Sequence, residues 1–496
     1  MHKHIFYRIA SCILFLCILF SNSLPTFAAT EEELKMLAEE RKLLPVQTNE
    51  IMNWPAGPEI GAEAAILMEA GTGTILYAKN IDERLYPAST TKMLTCLLAA
   101  ENSTVDEMVT FSYDAVHSVP SDGSNMGIDA GQSLPMEECL YGIMVASANE
   151  VASAVAEHIG GTIDNFVDMM NQKAVELGCT NSHFVNSNGL YDEDHYTSAH
   201  DLALIAKAFF SNDLLRRIGN TAKYHFVATK TQPDDFYKTN KHKLITGEIP
   251  YEGIIGGKTG YTDEARQTLV TGCEQNGMRL ICVVLKEEAP AQFEDTTVLF
   301  NYGFQNFSKV NIANNDTEYR IGDSSFFQTG NDIFGNSTPF LSIAKNDYVI
   351  LPNMSSFDDV TSEIDYHDNS LVGNEIAKVT YYFEDMAIGS TKILLSADAV
   401  KSYDFEPITT KDGIVSGRPD NVIFINIRLL LITVLILAGI CILILVIHSL
   451  FYDKRLTKTE RRNRTRYKKA ERRRKRERRR ERSFEKKRAR RARRRR

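Results

Sequence analysis

Ser89 and Lys92 stand three residues apart in the stretch Tyr86-Pro87-Ala88-Ser89-Thr90-Thr91-Lys92. On the first turn of a helix that spacing puts both side chains on one face, within reach of each other. A serine hydroxyl is a poor nucleophile without an adjacent base. A lysine is that base only when burial, a neighbouring cation or the positive end of a helix depresses its pKa. The chemistry on offer is attack by an activated hydroxyl through a covalent intermediate. Alone the pair is weak: Ser342/Lys345 and Ser483/Lys486 repeat the spacing, and a capping serine beside a surface lysine is the ordinary reading. Two further clusters, each occurring once, change the balance. Ser147-Ala148-Asn149 offers a second hydroxyl and an amide at the start of an alanine-rich helix. Lys258-Thr259-Gly260, preceded by Gly256-Gly257, belongs on a strand edge where glycine lets a ligand come close.

The elements that must position these groups are legible around them. Pro87 precedes an apolar run (Met93, Leu94, Cys96, Leu97, Leu98) that reads as a buried helix with proline just ahead of its first turn. Upstream, Ala65–Met68 and Thr74–Tyr77 flank Gly71-Thr72-Gly73 as a hairpin. Residues 97–250 read as mainly helical, with helices at Met144–His158, Ile163–Leu177 and Asp201–Phe210 and a turn-rich loop at Ser182–Tyr196. From Gly253 the pattern returns to sheet, and Leu269–Cys273 and Leu280–Leu285 are split by the hairpin turn Asn276-Gly277. The expectation is an α/β catalytic domain over residues 30–310: an antiparallel sheet flanked by helices, with a mainly helical insertion, whose first and last parts pair. Short strands between Asn, Asp and Gly turns predict a small all-β domain over 311–405, followed by a linker over 406–421.

Charge is strongly segregated. The chain of 496 residues carries a formal charge of -7, but residues 453–496 hold 27 Lys+Arg against 6 Asp+Glu, leaving the rest near -28. Leu429–Ile447 is uncharged and almost wholly aliphatic, and about 19 residues of helix cross a bilayer core. This predicts one transmembrane helix within 422–451 and a cytoplasmic basic tail over 452–496. The tail suits anionic lipid headgroups; few aromatics interleave its arginines, which argues against nucleic acid. Residues 1–29 read as an export signal, with Lys3 and Arg8, the apolar Ile9–Phe20 and the small-residue site Thr26-Phe27-Ala28-Ala29. A catalytic domain outside the cell, held by one membrane pass, follows as an expectation. Five cysteines remain outside the apolar segments (Cys96, Cys139, Cys179, Cys273, Cys282); they read as small buried hydrophobes with at most one optional disulfide. The histidines show no ligand spacing, so no metal and no cofactor are expected.

Ser-x-x-Lys, Ser-x-Asn and Lys-Thr-Gly in this order form the motif set of β-lactamases and penicillin-binding proteins. Together with Asn186-Ser187-Asn188-Gly189-Leu190 and His195-Tyr196-Thr197-Ser198-Ala199-His200-Asp201-Leu202-Ala203, they make residues 45–400 resemble the low-molecular-weight penicillin-binding proteins, serine-type D-alanyl-D-alanine carboxypeptidases of the penicillin-binding/β-lactamase-like transpeptidase fold. The resemblance implies peptidoglycan stem peptides ending in D-Ala-D-Ala as substrates and β-lactams as covalent inhibitors. It also implies roles: Ser89 the nucleophile, Lys92 its base, Ser147 a proton relay, Asn149 a clamp on the substrate amide. Lys258 would supply positive potential, and Thr259 would bind the terminal carboxylate on the Lys258-Thr259-Gly260 strand. The N–H groups of Ser89 and Tyr261 would form the oxyanion hole. One departure stands out: where the family often carries a basic residue, this chain has Gln292, and Arg266 is the available substitute.

Rival readings remain. A class A β-lactamase needs a deacylating Glu-x-x-x-Asn pattern, which residues 180–200 lack. A D,D-endopeptidase cutting cross-links would use the same machinery. A catalytically silent membrane-anchored cell-wall scaffold would not need the intact motif set.

Overall fold

The computed structural model describes residues 30–120, 123–316, 319 and 341–395. The expected export signal, the linker, the transmembrane helix at 422–451 and the basic tail lie outside the described residues. Among those described, no helix is long and apolar enough to cross a membrane. The described residues fall in one compact unit, Met1–Tyr403.

Helix α1 (Glu31–Lys42) begins with a capping box, Thr30 and Glu33 satisfying each other's backbone donors. The apolar runs then build a five-stranded antiparallel sheet. Its strands are β1 (Ala64–Glu69), β2 (Ile75–Lys79), and after a long helical insertion β3 (Ile254–Thr262), β4 (Arg266–Gln275) and β5 (Met278–Glu287). The order is β2-β1-β5-β4-β3. The expected closure of first on last is met by β1 pairing with β5, Ile66 opposite Val283 and Leu67 opposite Cys282. All six residues of β1 are buried because both faces of the sheet are covered. Alternation sends Ile66, Met68, Ile281 and Val283 toward the helical layer and Ala65, Leu67, Cys282 and Val284 to the other side. The helical layer contains α2 (Lys92–Asn102), α3 (Asn149–Gly160), α4 (Ile163–Glu176) and α5 (Ala199–Ser211). The other face is covered by α6 (Ala291–Asn306) through Phe293, Leu299 and Phe300.

The helix expected over Met144–His158 is not continuous. A π-helical turn, Gly142–Ala146, ends at Ser147, which adopts a left-handed conformation (φ 59°), and α3 starts only at Asn149. Buried alanines and valines on both sides of the break carry no periodic signal that would reveal it.

The second sheet comprises β6 (Phe307–Asn311), β7 (Leu341–Ile343), β8 (Tyr348–Pro352), β9 (Val360–Asp365), β10 (Glu375–Phe383) and β11 (Met386–Leu395). Its order is β6-β8-β11-β10-β9, with β7 also on β11. Strand β6 straddles the expected domain boundary at 310. Trp54 joins the layers: its ring lies 5.0 Å from Phe307 and 5.9 Å from Phe383, and its Nε1 donates to the Leu76 carbonyl at 2.9 Å. The five cysteines are free and buried, so the optional disulfide does not form.

Candidate active site

Ser89 lies on a 3₁₀ segment, Ala88–Thr91, that runs directly into α2 at Lys92. Ala88 sits at φ 49°, a conformation that costs a non-glycine residue energy and persists where its surroundings over-determine it. Two contacts supply that constraint. Thr268 Oγ1 on β4 donates to the Pro87 carbonyl at 2.8 Å, and Gly189 lies flat on Ala88, where a Cβ would come within 1.9 Å of the Ala88 oxygen. Strand β3 approaches equally closely. A Cβ on Gly260 would stand 2.9 Å from the Ser89 nitrogen and 2.3 Å from Thr268 Oγ1. The glycine of Lys258-Thr259-Gly260 is thus required by the packing of strand against turn.

Lys92 is the hub. Its Nζ lies 3.0 Å from Ser89 Oγ and 2.8 Å from Asn149 Oδ1, and it also contacts the Asn188 carbonyl. The side chain is fully buried. Burial, then the nearby Lys258 charge, drives its pKa well below the ordinary lysine value. The free amine that results has a lone pair for the Ser89 proton. Lys258 Nζ donates to Ser147 Oγ at 3.0 Å and to its neighbour's carbonyl, Thr259 O, at 2.8 Å. Burial and then Lys241 lower its pKa to about 7. The left-handed turn at Ser147 is what aims that hydroxyl at Lys258 while Asn149, two residues on, faces Lys92. Thr259 is half-buried on β3, and Tyr261, 50% exposed, stands at the rim.

All eight residues singled out from the sequence therefore fall in one place: Ser89, Lys92, Ser147 and Asn149 on the helical side, Lys258, Thr259, Gly260 and Tyr261 along the β3 edge. Three others had been given no role from the sequence. Asn188 contributes a backbone oxygen, which side-chain chemistry does not announce. Lys241 donates to Ser124 Oγ at 2.8 Å and lies close enough to depress both site lysines; nothing in its spacing marks it. Glu150 accepts from the backbone N–H of Met126 and Gly127, fixing the loop whose Ser124 carbonyl accepts from Asn149 N at 2.9 Å. Arg266 does not take the place of the missing cation: its guanidinium pairs with Glu288, Nη2 to Oε2 at 2.8 Å. Gln292 is buried, donates to Gln267 Oε1 at 3.2 Å, and its own oxygen has no partner. Among the described residues no cluster of His, Cys, Asp or Glu has metal-binding geometry.

The model of the D-alanyl-D-alanine carboxypeptidase family matches residues 51–289. The D-alanyl-D-alanine carboxypeptidase DacF of Bacillus subtilis is 36% identical over 251 residues, which is 50% of this chain and 63% of that protein. A D-alanyl-D-alanine carboxypeptidase of Streptomyces is 31% identical over 258 residues, 50% of this chain and 88% of the relative. Among solved structures, D-alanyl-D-alanine carboxypeptidase DacD from Francisella tularensis aligns with a TM-score of 0.53 at 26% identity, over 70% of this chain and 95% of that one. Penicillin binding protein 5 from Haemophilus influenzae aligns at 0.54 and 26%, over 68% and 98%.

Proposed function

The chain belongs to the D-alanyl-D-alanine carboxypeptidase family, and from that membership we propose that it is a serine-type carboxypeptidase removing the terminal D-alanine from peptidoglycan pentapeptides. The observation that carries this reading is the buried Lys92 amine, 3.0 Å from Ser89 Oγ, with a second lysine 3.0 Å from Ser147. Ser89 Oγ attacks the carbonyl between the two D-alanines while Lys92 takes its proton. The N–H groups of Ser89 and Tyr261 hold the developing oxyanion; one such donor is worth about 10²–10³ in rate in comparable enzymes. Ser147 passes its proton to the departing amine, and Lys258, cationic, replenishes it. Asn149 and the β3 edge hold the peptide, with Thr259 on its carboxylate. Water then hydrolyses the acyl-enzyme, returning the proton through the same groups. A β-lactam acylates Ser89 in the same way.

The signal-like start, the apolar run within 422–451 and the basic tail support an exported catalytic domain held by a single membrane helix, with the tail against anionic lipid on the cytoplasmic side. The test is D-alanine release from a pentapeptide together with labelling by fluorescent penicillin. Both are expected for the parent protein and neither for Ser89→Ala; a parent that releases no D-alanine overturns the reading.

A further inference from the structure

Arg266 opens β4 immediately after the tight turn that closes β3, at φ 53°. Its guanidinium reaches back over Tyr261, 5.6 Å from the ring centroid and 3.3 Å from the hydroxyl. The same hydroxyl donates to Asp263 at 2.8 Å. On its far side Arg266 grips Glu288 with Nε to Oε1 (3.3 Å) and Nη2 to Oε2 (2.8 Å), the bidentate form that fixes a guanidinium plane. Glu288 in turn accepts from Arg41 Nη2 at 3.4 Å. Arg41 sits in the last turn of α1, where its Nε also donates to the Gly61 carbonyl at 2.8 Å. Its own carbonyl accepts from the buried Lys79 ammonium at 2.8 Å. The side chains of Arg41 and Glu288 are only 10% and 11% exposed, and that of Arg266 22%. A cation–anion–cation row thus runs from the lead-in helix, outside the family-matched residues 51–289, to the rim of the catalytic cleft.

We propose that Arg266, anchored through Glu288 by Arg41 of helix α1, is a positioning residue for acylation that fixes Tyr261 on the β3 edge against Ser89. Strand β3 is paired on one side only, so β4 and this row are what hold its end. Tyr261 is half-exposed at the rim, with its backbone opposite Gln267 of β4. The N–H of Tyr261 must meet an oxyanion that exists only in the transition state, so small displacements there weigh on rate and not on ground-state binding. Arg266 is committed to Glu288 and touches Tyr261 from outside the cleft; it acts through Tyr261, without contact to the peptide.

This inference rests on the carboxypeptidase reading. The experiment is a double-mutant cycle on the full chain with Arg266→Met, Arg41→Met and both, reading penicillin acylation, kcat and KM on a pentapeptide, and Tm. Arg266→Met is expected to slow acylation and kcat about tenfold, with KM within about twofold. Arg41→Met should give about a threefold loss, and the double variant should be no slower than Arg266→Met, because both act through one row. Tyr261→Phe, which keeps the ring but removes the hydroxyl that Arg266 and Asp263 hold, gives a second cycle with Arg41→Met should Arg266→Met fail to fold; non-additivity is expected there too. A rise in KM at constant kcat, additive losses, or a lowered Tm with unchanged rates each overturn the proposal. A parent protein without acylation overturns the carboxypeptidase reading itself.

Discussion

Gly189→Ala should disable the site without touching a chemical group. Gly189 holds φ 82°, which costs an alanine roughly 1 kcal/mol, but sterics dominate. The added Cβ would lie 1.9 Å from the Ala88 oxygen, 2.4 Å from its carbon and 3.0 Å from the Ser89 nitrogen, all of them backbone atoms that cannot swing aside. Restoring even a 3.0 Å contact moves the Asn186–Leu190 loop and the nucleophile turn apart by about 1 Å, and misplacement on that scale costs on the order of 10²-fold in rate. The same movement carries the Asn188 carbonyl away from Lys92, so the proposed base loses an acceptor as the proposed nucleophile shifts. The measurement is the second-order rate of labelling by fluorescent penicillin, beside Tm. A variant that labels within about twofold of the parent would refute the argument that this loop sets the position of Ser89.

Lys241→Met removes a cation that helps to depress Lys258. The Lys258 pKa should rise, moving the alkaline limb of the kcat/KM profile to higher pH; an unmoved limb would exclude Lys258 as its source. His195 and His242 are buried and held neutral down to about pH 3. Between pH 6.5 and 3 the unfolded chain binds protons that the folded chain refuses, so stability should fall as pH drops through that window. The slope is about 1.4 kcal/mol per pH unit for each histidine, and denaturant midpoints for His195→Gln should show a shallower dependence. Asp201, fully buried, accepts from the N–H groups of Thr180 and Asn181 and from Ser182 Oγ. Asp201→Ala should therefore cost about 3 kcal/mol in chemical denaturation by orphaning those donors, with the chemistry of any folded fraction intact.

What the sequence made legible was local chemistry and period. The Asn276-Gly277 turn lies between β4 and β5 as expected, and Ser89 and Lys92 meet because one helical turn spans three residues. The proposed catalytic set was readable because the proposed chemistry asks for side chains of those types. What escaped depends on backbone. The left-handed Ser147 follows an apolar stretch whose glycine, Gly142, stands five residues ahead of it, and Asn188 acts through a carbonyl that every residue owns. Lys241 and Arg41 matter through which neighbour they meet, Lys258 in one case and Glu288 in the other, and those meetings exist only once distant segments are folded together. Arg266 illustrates the same limit: a free cation in the sequence, it is already engaged by a carboxylate supplied from beyond the end of β5.

Pairing β1 with β5 also fixes when the enzyme can come into being. Ala64 meets Leu285 across roughly 220 residues of intervening chain, a contact of very high sequence separation that forms late. A nascent polypeptide stopped before that point holds Ser89 and Lys92 but lacks β5, the strand that joins β1 to β4 and so brings Lys258 on β3 to them. Ser89 and Lys92 therefore meet Lys258 only once nearly all of residues 64–285 has been made.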